Sequence, residues 1–374
     1  VRLKKRLVAG IALFAVVWAG AAKSTSGETE SGAAAQGSPP TATPGEKKPA
    51  YPAVGAIDRL DPRFDQLMPR DAVIERLAEG FKWSEGPLWI GRPTPGLHSA
   101  GSQGGCLLFS DIPENCVVKW TEGEGISLFL KPSGHTVPTI AGWLRGSNGL
   151  ALDASGRLVL CQHGDRRIVR READGRWTTL ADRYGGKRFN SPNDLVFKSN
   201  GDLYFTDPTY GLPKGLDDPG RELDFCGIFR LSAADGKVTL LSREMSMPNG
   251  IGFSPDETIL YVAQSDPKRT LWMAFPVNGD GTLGRGRVFG DLRGWPKTDV
   301  GGRPDGLTVD RSGNIFATGP GGVNVIAPDG TLLGRINPGQ TVANCAFGDD
   351  GTVLYMTAHR CLCRIRTSTK GLRF

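Results

Sequence analysis

The chain has 374 residues, a formal charge of +6, 39% hydrophobic residues, 52 Gly and 26 Pro. Gly and Pro together make up about 21% of it, against a typical ~12%, so a core of ordinary size must be assembled from short elements broken by turns rather than from long helices. Four basic residues stand at the start (Arg2, Lys4, Lys5, Arg6); taking these four from +6 leaves +2, which argues against a surface built for nucleic acid.

Those four residues precede an uncharged apolar run from Leu7 to Gly20 that ends in small residues through Ala22. A basic start, a short apolar run and small residues predict a secretory signal over 1–22. The run is shorter than the ~20 residues that span hydrocarbon, so the expectation is export to the periplasm or medium, without stable membrane insertion once the signal is removed. Residues 23–50 contain no Val, Ile, Leu or aromatic side chain and predict a disordered linker. Hydrophobic residues return at Tyr51, and residues 51–374 are expected to form one domain. Within DAVIERLAEGFKW (71–83) the second half predicts a strand.

From Glu85 onward one pattern recurs: a polar residue, usually followed by Gly, then alternating apolar positions, a turn and a second strand. Its copies begin EGPLWI at Glu85, NGLALDASGRLVLCQ at Asn148, NDLVFKSNGDLYFTD at Asn193, NGIGFSPDETILYVAQS at Asn249, DGLTVDRSGNIFATG at Asp305 and NCAFGDDGTVLYMTA at Asn344. A third strand follows in RIVRREADG, GIFRLSAADG and VNVIAPDG. Repeats of ~40–50 residues with several strands each predict an all-β, six-bladed propeller. Ring closure requires the last blade to borrow a strand, and the stretch from about 74 to 82 is the natural donor.

Seven cysteines without a C-x-x-C pair give neither a zinc site nor a full disulfide framework. Across the apparent hairpin CLLFSDIPENCVVKW a five-residue turn would set Cys116 opposite Ser110, so Cys106 and Cys116 are not expected to bridge.

The first position of each inner strand faces the propeller axis. Glu85, Asn148, Asn193, Asn249, Asp305 and Asn344 therefore converge, and two carboxylates among amide oxygens without a Lys or Arg call for a cation. Oxygen-only donors favour Ca2+, with Mg2+, Mn2+ or Zn2+ as alternatives. The triplets Pro192-Asn193-Asp194, Pro248-Asn249-Gly250 and Pro304-Asp305-Gly306 share one register, which strengthens this over isolated turns. The ends of the second strands should rim the pocket, giving His163, Asp207, Tyr210 and Gln264 as substrate-facing candidates beside Asn148. Arg188, five residues before Asn193, is a further candidate for a charge near substrate. For Trp83 and Trp89 a core role competes with a place at the mouth.

The segments WSEGPLW, NSPNDLVFKSNGDLYFTDPTYG, MPNGIGFSPDETILYVAQS and RPDGLTVDRSGNIFATGPGGV resemble the senescence marker protein (regucalcin), gluconolactonase and luciferin-regenerating enzyme family, most of all its bacterial gluconolactonase branch. The resemblance covers about 81–358. It implies a divalent metal in the channel and metal-dependent hydrolysis of a small-molecule sugar lactone such as D-glucono-1,5-lactone. It also implies Glu85, Asn249 and Asp305 as metal ligands, Asn193 as a ligand or substrate contact, and Asn148 and Asn344 standing behind them. Ser191 occupies a place where the vertebrate branch carries a sugar-contacting Arg, so substrate recognition must differ from that branch.

On this reading Asp305 is the catalytic base. Two other classes remain open: a related propeller esterase acting on organophosphates or acyl lactones, and a non-enzymatic exported propeller that binds sugar or protein around a structural Ca2+. No G-x-S-x-G elbow occurs, which sets a serine hydrolase aside.

Overall fold

A computed structural model describes residues 51–91, 104–136 and 144–372; the expected signal and linker lie outside them. Six antiparallel sheets of four or five strands follow one another along the described residues, with a two-stranded hairpin beside them. Blade one comprises strands Ser84–Ile90, Cys106–Asp111, Cys116–Thr121 and Gly125–Leu130, and blade two Ser147–Leu152, Leu158–Gln162, Arg167–Arg171 and Trp177–Ala181. Blade three has Leu195–Phe197, Leu203–Asp207, Gly227–Leu231 and Val238–Ser242; blade four has Pro248–Phe253, Ile259–Gln264, Leu271–Pro276 and Arg287–Asp291. Blades five and six begin with Leu307–Val309 and Asn344–Gly348 and run outward through Leu332–Asn337 and Cys361–Arg366. The expected six-bladed all-β propeller is thus the fold.

Glu75–Glu79 pairs antiparallel with Cys361–Arg366 and completes blade six, so the strand expected from 74–82 closes the ring. Ala56–Arg59 adds a fifth, outermost strand to blade five, which the sequence did not announce. Arg364 reinforces the closure: its guanidinium donates to Glu75 at 2.7 Å and lies 5.7 Å over the ring of Trp120 in blade one.

Between blades the core is layered. Phe205 and Phe229 of blade three stack at 5.4 Å beside Val159 and Cys161 of blade two, and Trp89 stacks on Tyr355 at 5.4 Å between blades one and six. Hydroxyls of second strands also donate to carbonyls of the next inner strand: Ser110 to Asn148, Thr206 to Asn249, and Thr318 to Ala343.

Why Gly follows the axial residue is now physical. A Cβ on Gly86 would lie 2.1 Å from the Asn148 carbonyl oxygen, and one on Gly250 2.2 Å from that of Asp305. These dipeptides are therefore sites of close approach between neighbouring inner strands within the ring.

All seven cysteines are buried and unbridged. The turn after Asp111 is one residue shorter than expected, so Cys116 stands opposite Asp111 rather than Ser110. Among the described residues no helix is long and apolar enough to cross a membrane.

Candidate active site

The channel opens at two ends. At one, about 340 Å³ is enclosed by Glu85, Asn148, Asn193, Asn249 and Asp305 together with Trp83, Ile112, Leu144, His163, Tyr210, Ser265, Gly302, Arg303 and Thr341. The volume falls within the ~300–1,000 Å³ of small-ligand sites. At the other, about 730 Å³ is lined mainly by apolar inner-strand side chains such as Leu150, Val196 and Ile251, with Asp194 and Asn344.

Five of the six axial residues thus meet at one cavity, and Asn344 faces the opposite end. Glu85, Asn148 and Asn249 sit near the start of their inner strands, and Asn193 and Asp305 stand two residues ahead of theirs. Asn148 donates from Nδ2 to Asn193 Oδ1 at 2.6 Å, and His163 Nε2 approaches the same oxygen at 3.0 Å. Asn193 Nδ2 donates to Asn249 Oδ1 at 2.5 Å, and Asn249 Nδ2 to Ser265 Oγ at 2.9 Å. Ser265 in turn donates to the Pro304 carbonyl at 2.5 Å, tying this row to the Pro that precedes Asp305.

Burial pushes the Glu85 carboxyl up to about 8, with the Asp194 carboxylate adding to the shift. Asp305 is raised well above the usual carboxylate range by burial and by Glu85 and Asp194. Asp194 itself is raised to about 6 by burial. Three carboxylates therefore oppose one another, and among the described residues no Lys or Arg offsets these shifts. Glu85 is only 3% exposed, whereas Asp305 keeps surface open to the cavity. Among the described residues no three His, Cys, Asp or Glu side chains gather into a metal-binding group; the charged donors here are two, complemented by amides. That set suits a hard divalent cation, whose charge would relieve the two carboxylates while amide oxygens fill further positions.

Of the other expected substrate-facing residues, His163 and Tyr210 line the cavity. Burial pushes the His163 imidazole down to about 4. The Tyr210 hydroxyl is buried without a partner in hydrogen-bond geometry. Three others do not line the cavity among the described residues. Arg188 is half-buried outside the cavity, donating from its guanidinium to the Asp165 carbonyl and from its backbone N–H to the Glu222 carboxylate. Asp207 is buried behind the wall, where its carboxylate accepts the backbone N–H groups of Asn190 and Ser191. Gln264 accepts from Met247 N–H and donates to Ser246 instead of facing the cavity. Trp83 borders the cavity, and Trp89 belongs to the opposite end.

Two charged residues escaped the sequence reading. Asp194 follows Asn193 where four of the other five copies carry Gly, and that break in pattern was the available signal. Arg303 precedes Pro304-Asp305 and is the one Lys or Arg lining the cavity among the described residues; nothing in its sequence position marked it.

Comparisons with known proteins agree with this geometry. Residues 83–360 match the model of the SMP-30/gluconolactonase/LRE-like region. The chain is 41% identical over 327 residues to a gluconolactonase of Zymomonas mobilis, covering 85% of this chain and 88% of that one. A solved gluconolactonase from Xanthomonas campestris superposes with a TM-score of 0.69 at 33% identity, covering 86% of this chain and 99% of that one. A pentonolactonase of Haloferax volcanii is 34% identical over 156 residues, 38% of this chain and 51% of that one. This chain therefore belongs to the SMP-30/gluconolactonase/LRE-like family.

Proposed function

We propose that this protein hydrolyses a sugar lactone, with D-glucono-1,5-lactone as the leading substrate, using a divalent cation held by Glu85, Asn193, Asn249 and Asp305. The observation that carries this reading is the convergence of the Glu85 and Asp305 carboxylates and amide oxygens on one cavity, with both carboxyls raised and, among the described residues, no Lys or Arg offsetting them. Ca2+ is the favoured ion because every donor is oxygen. Kinship with lactonases supplies the reaction class.

When bound, such an ion supplies Lewis acidity toward the lactone carbonyl. The rest is the work of the chain. Asp305, the carboxylate open to the cavity, accepts a proton from the attacking water as its oxygen bonds to the carbonyl carbon. Collapse breaks the bond to the ring oxygen, which takes back the proton held by Asp305 and leaves as the hydroxyl of the open-chain acid, so that Asp305 returns to its carboxylate form. Glu85, closed off from solvent, stays a ligand. Asn148, Tyr210 and Arg303 offer donors to sugar hydroxyls. Ten of the fourteen lining residues carry polar side chains, which favours a sugar over the apolar ester that a related esterase would take. The reading includes export, on the basic and apolar run at residues 2–20.

The test is hydrolysis of D-glucono-1,5-lactone slightly below pH 7, with and without chelator, and after returning Ca2+, Mg2+, Mn2+ or Zn2+. Chelator-sensitive turnover restored by one ion is expected. A folded, Ca2+-loaded protein without turnover would move the assignment to another ester class or to a binding role.

A further inference from the structure

His163 is buried with no exposed surface, and each of its ring nitrogens faces an oxygen: Nδ1 the Leu144 carbonyl at 3.2 Å, Nε2 the Asn193 amide at 3.0 Å. A backbone carbonyl only accepts, so Nδ1 carries a proton. With its single ring proton held on Nδ1 by that carbonyl, the ring leaves Nε2 bare and in need of a donor. The two terminal atoms of an amide exchange places by a half-turn about the last side-chain bond, so the partners decide which is oxygen. Beside a bare Nε2, the Asn193 atom must be the NH2 group.

Its second hydrogen then reaches the Asn148 amide, 2.6 Å away, once Asn148 presents its oxygen by the same half-turn. As placed, the Asn148 Oδ1 is buried without a partner; after the turn the Asn148 NH2 takes that position beside the cavity, free for a ligand. At the far end, Ser265 spends its proton on the Pro304 carbonyl, so it accepts from Asn249 and fixes the Asn249 oxygen toward Asn193. The Asn193 and Asn249 oxygens are then turned toward each other across a contact of 2.5 Å, an arrangement that a cation stabilises and its absence disfavours.

We propose that His163 is a positioning residue: through its Nδ1–H tautomer, fixed by the Leu144 carbonyl, it turns the Asn193 amide so that the oxygen faces the cation site beside that of Asn249. This rests on the functional reading above, in which Asn193 and Asn249 are ligands. Ser265 performs the same service for Asn249 from the other end of the row. Outer partners that orient ligands in this way typically set ~10–100-fold in metal affinity.

The experiment uses the full chain and CaCl2. Nitrogen-resolved NMR of the imidazole in the wild type should find Nδ1 protonated and Nε2 bare. Calorimetric titration should find Ca2+ binding weakened by about 10–100-fold in His163→Ala and largely restored in His163→Gln, whose amide oxygen reaches toward the place of Nε2. A protonated Nε2 overturns the proposal, and so does His163→Ala binding Ca2+ like the wild type. Should the Ala variant not fold, the wild-type tautomer and the Gln variant still decide. A wild type that takes up no Ca2+ overturns the functional reading and this proposal together, a result distinct from equal binding by wild type and His163→Ala.

Discussion

Asp207 holds Ser191 by its backbone N–H at 2.8 Å, and its other carboxylate oxygen holds Asn190 at the same distance. The arrangement recurs. Asp111 accepts the N–H of Trp83 at 3.1 Å, and Gln264 that of Met247 at 3.1 Å. In each case the residue held stands two positions before an axial donor: Glu85, Asn193 or Asn249. The last side chain of a second strand therefore sets the approach of its blade to the axis. Asp207→Ala leaves two buried N–H groups without an acceptor, at about 1–3 kcal/mol each. We expect a lower melting temperature and weaker Ca2+ binding together, read by calorimetry, with Asp207→Asn falling between Ala and wild type. Unchanged Ca2+ affinity in Asp207→Ala would remove this positioning role.

Asp305→Ala should lower turnover of D-glucono-1,5-lactone by roughly 10²–10⁴-fold, the range for loss of a general base, plus whatever the lost ligand adds. Asn148→Ala should retain most of it. Initial rates at saturating Ca2+ decide, and Asp305→Ala turning over like wild type would end the assignment.

Glu85→Gln should trade stability against binding. Without a cation the buried carboxylate is opposed by Asp194, so removing its charge should raise the melting temperature of the chelated protein. Ca2+ affinity should fall in the same variant, because an amide oxygen replaces a charged ligand. Thermal unfolding with and without Ca2+ should therefore shift in opposite directions.

The cation-free protein should lose stability as pH rises. Glu85 titrates near 4.5 when unfolded and at about 8 when folded, so the folded state holds the extra proton between these values. For an acid raised in this way the penalty is absent below about 4.5, grows with pH and levels off above about 8. Asp194, at about 6, and Asp305 act in the same sense. Ca2+ favours the deprotonated pair and should flatten or reverse the slope, with proton release on binding near pH 7. Melting temperatures across pH 5–9, with chelator and with Ca2+, provide the check; a chelated protein equally stable throughout would contradict it.

Truncation should grade by strand. Removing residues through 60 takes away the outermost strand of blade five, whereas removing residues through 80 also takes the strand that completes blade six. The longer truncation should abolish cooperative unfolding, and the shorter one only lower its midpoint, by circular dichroism. Equal behaviour would show that Glu75–Glu79 does not close the ring energetically.

The blades and five axial residues were legible because each copy announces itself: a polar head, alternating apolar positions and a Gly-containing turn. What the sequence concealed was direction. Gln264 and Ser265 are neighbours at one strand end, yet only Ser265 reaches the cavity, because successive side chains point to opposite faces. Asp207 likewise points back toward the loop it supports. Asn344 heads a copy like any other, but its inner strand turns it toward the opposite opening. Arg188 was near Asn193 in sequence only; the two-stranded Arg183–Tyr184 and Lys187–Arg188 hairpin carries it outward. Asp194 required knowing that its position is one where four other blades keep Gly to let strands meet. The extra strand at Ala56–Arg59 has only four residues and no repeat to mark it.

The strand Glu75–Glu79, which seals blade six, leaves the ribosome long before its partner Cys361–Arg366. Until that partner is made it has an open edge, and each new blade must assemble beside an unfinished ring. The open edge is a template for pairing with other chains, so the burden of chaperoning falls at the start of the nascent domain and is lifted only by its final strand.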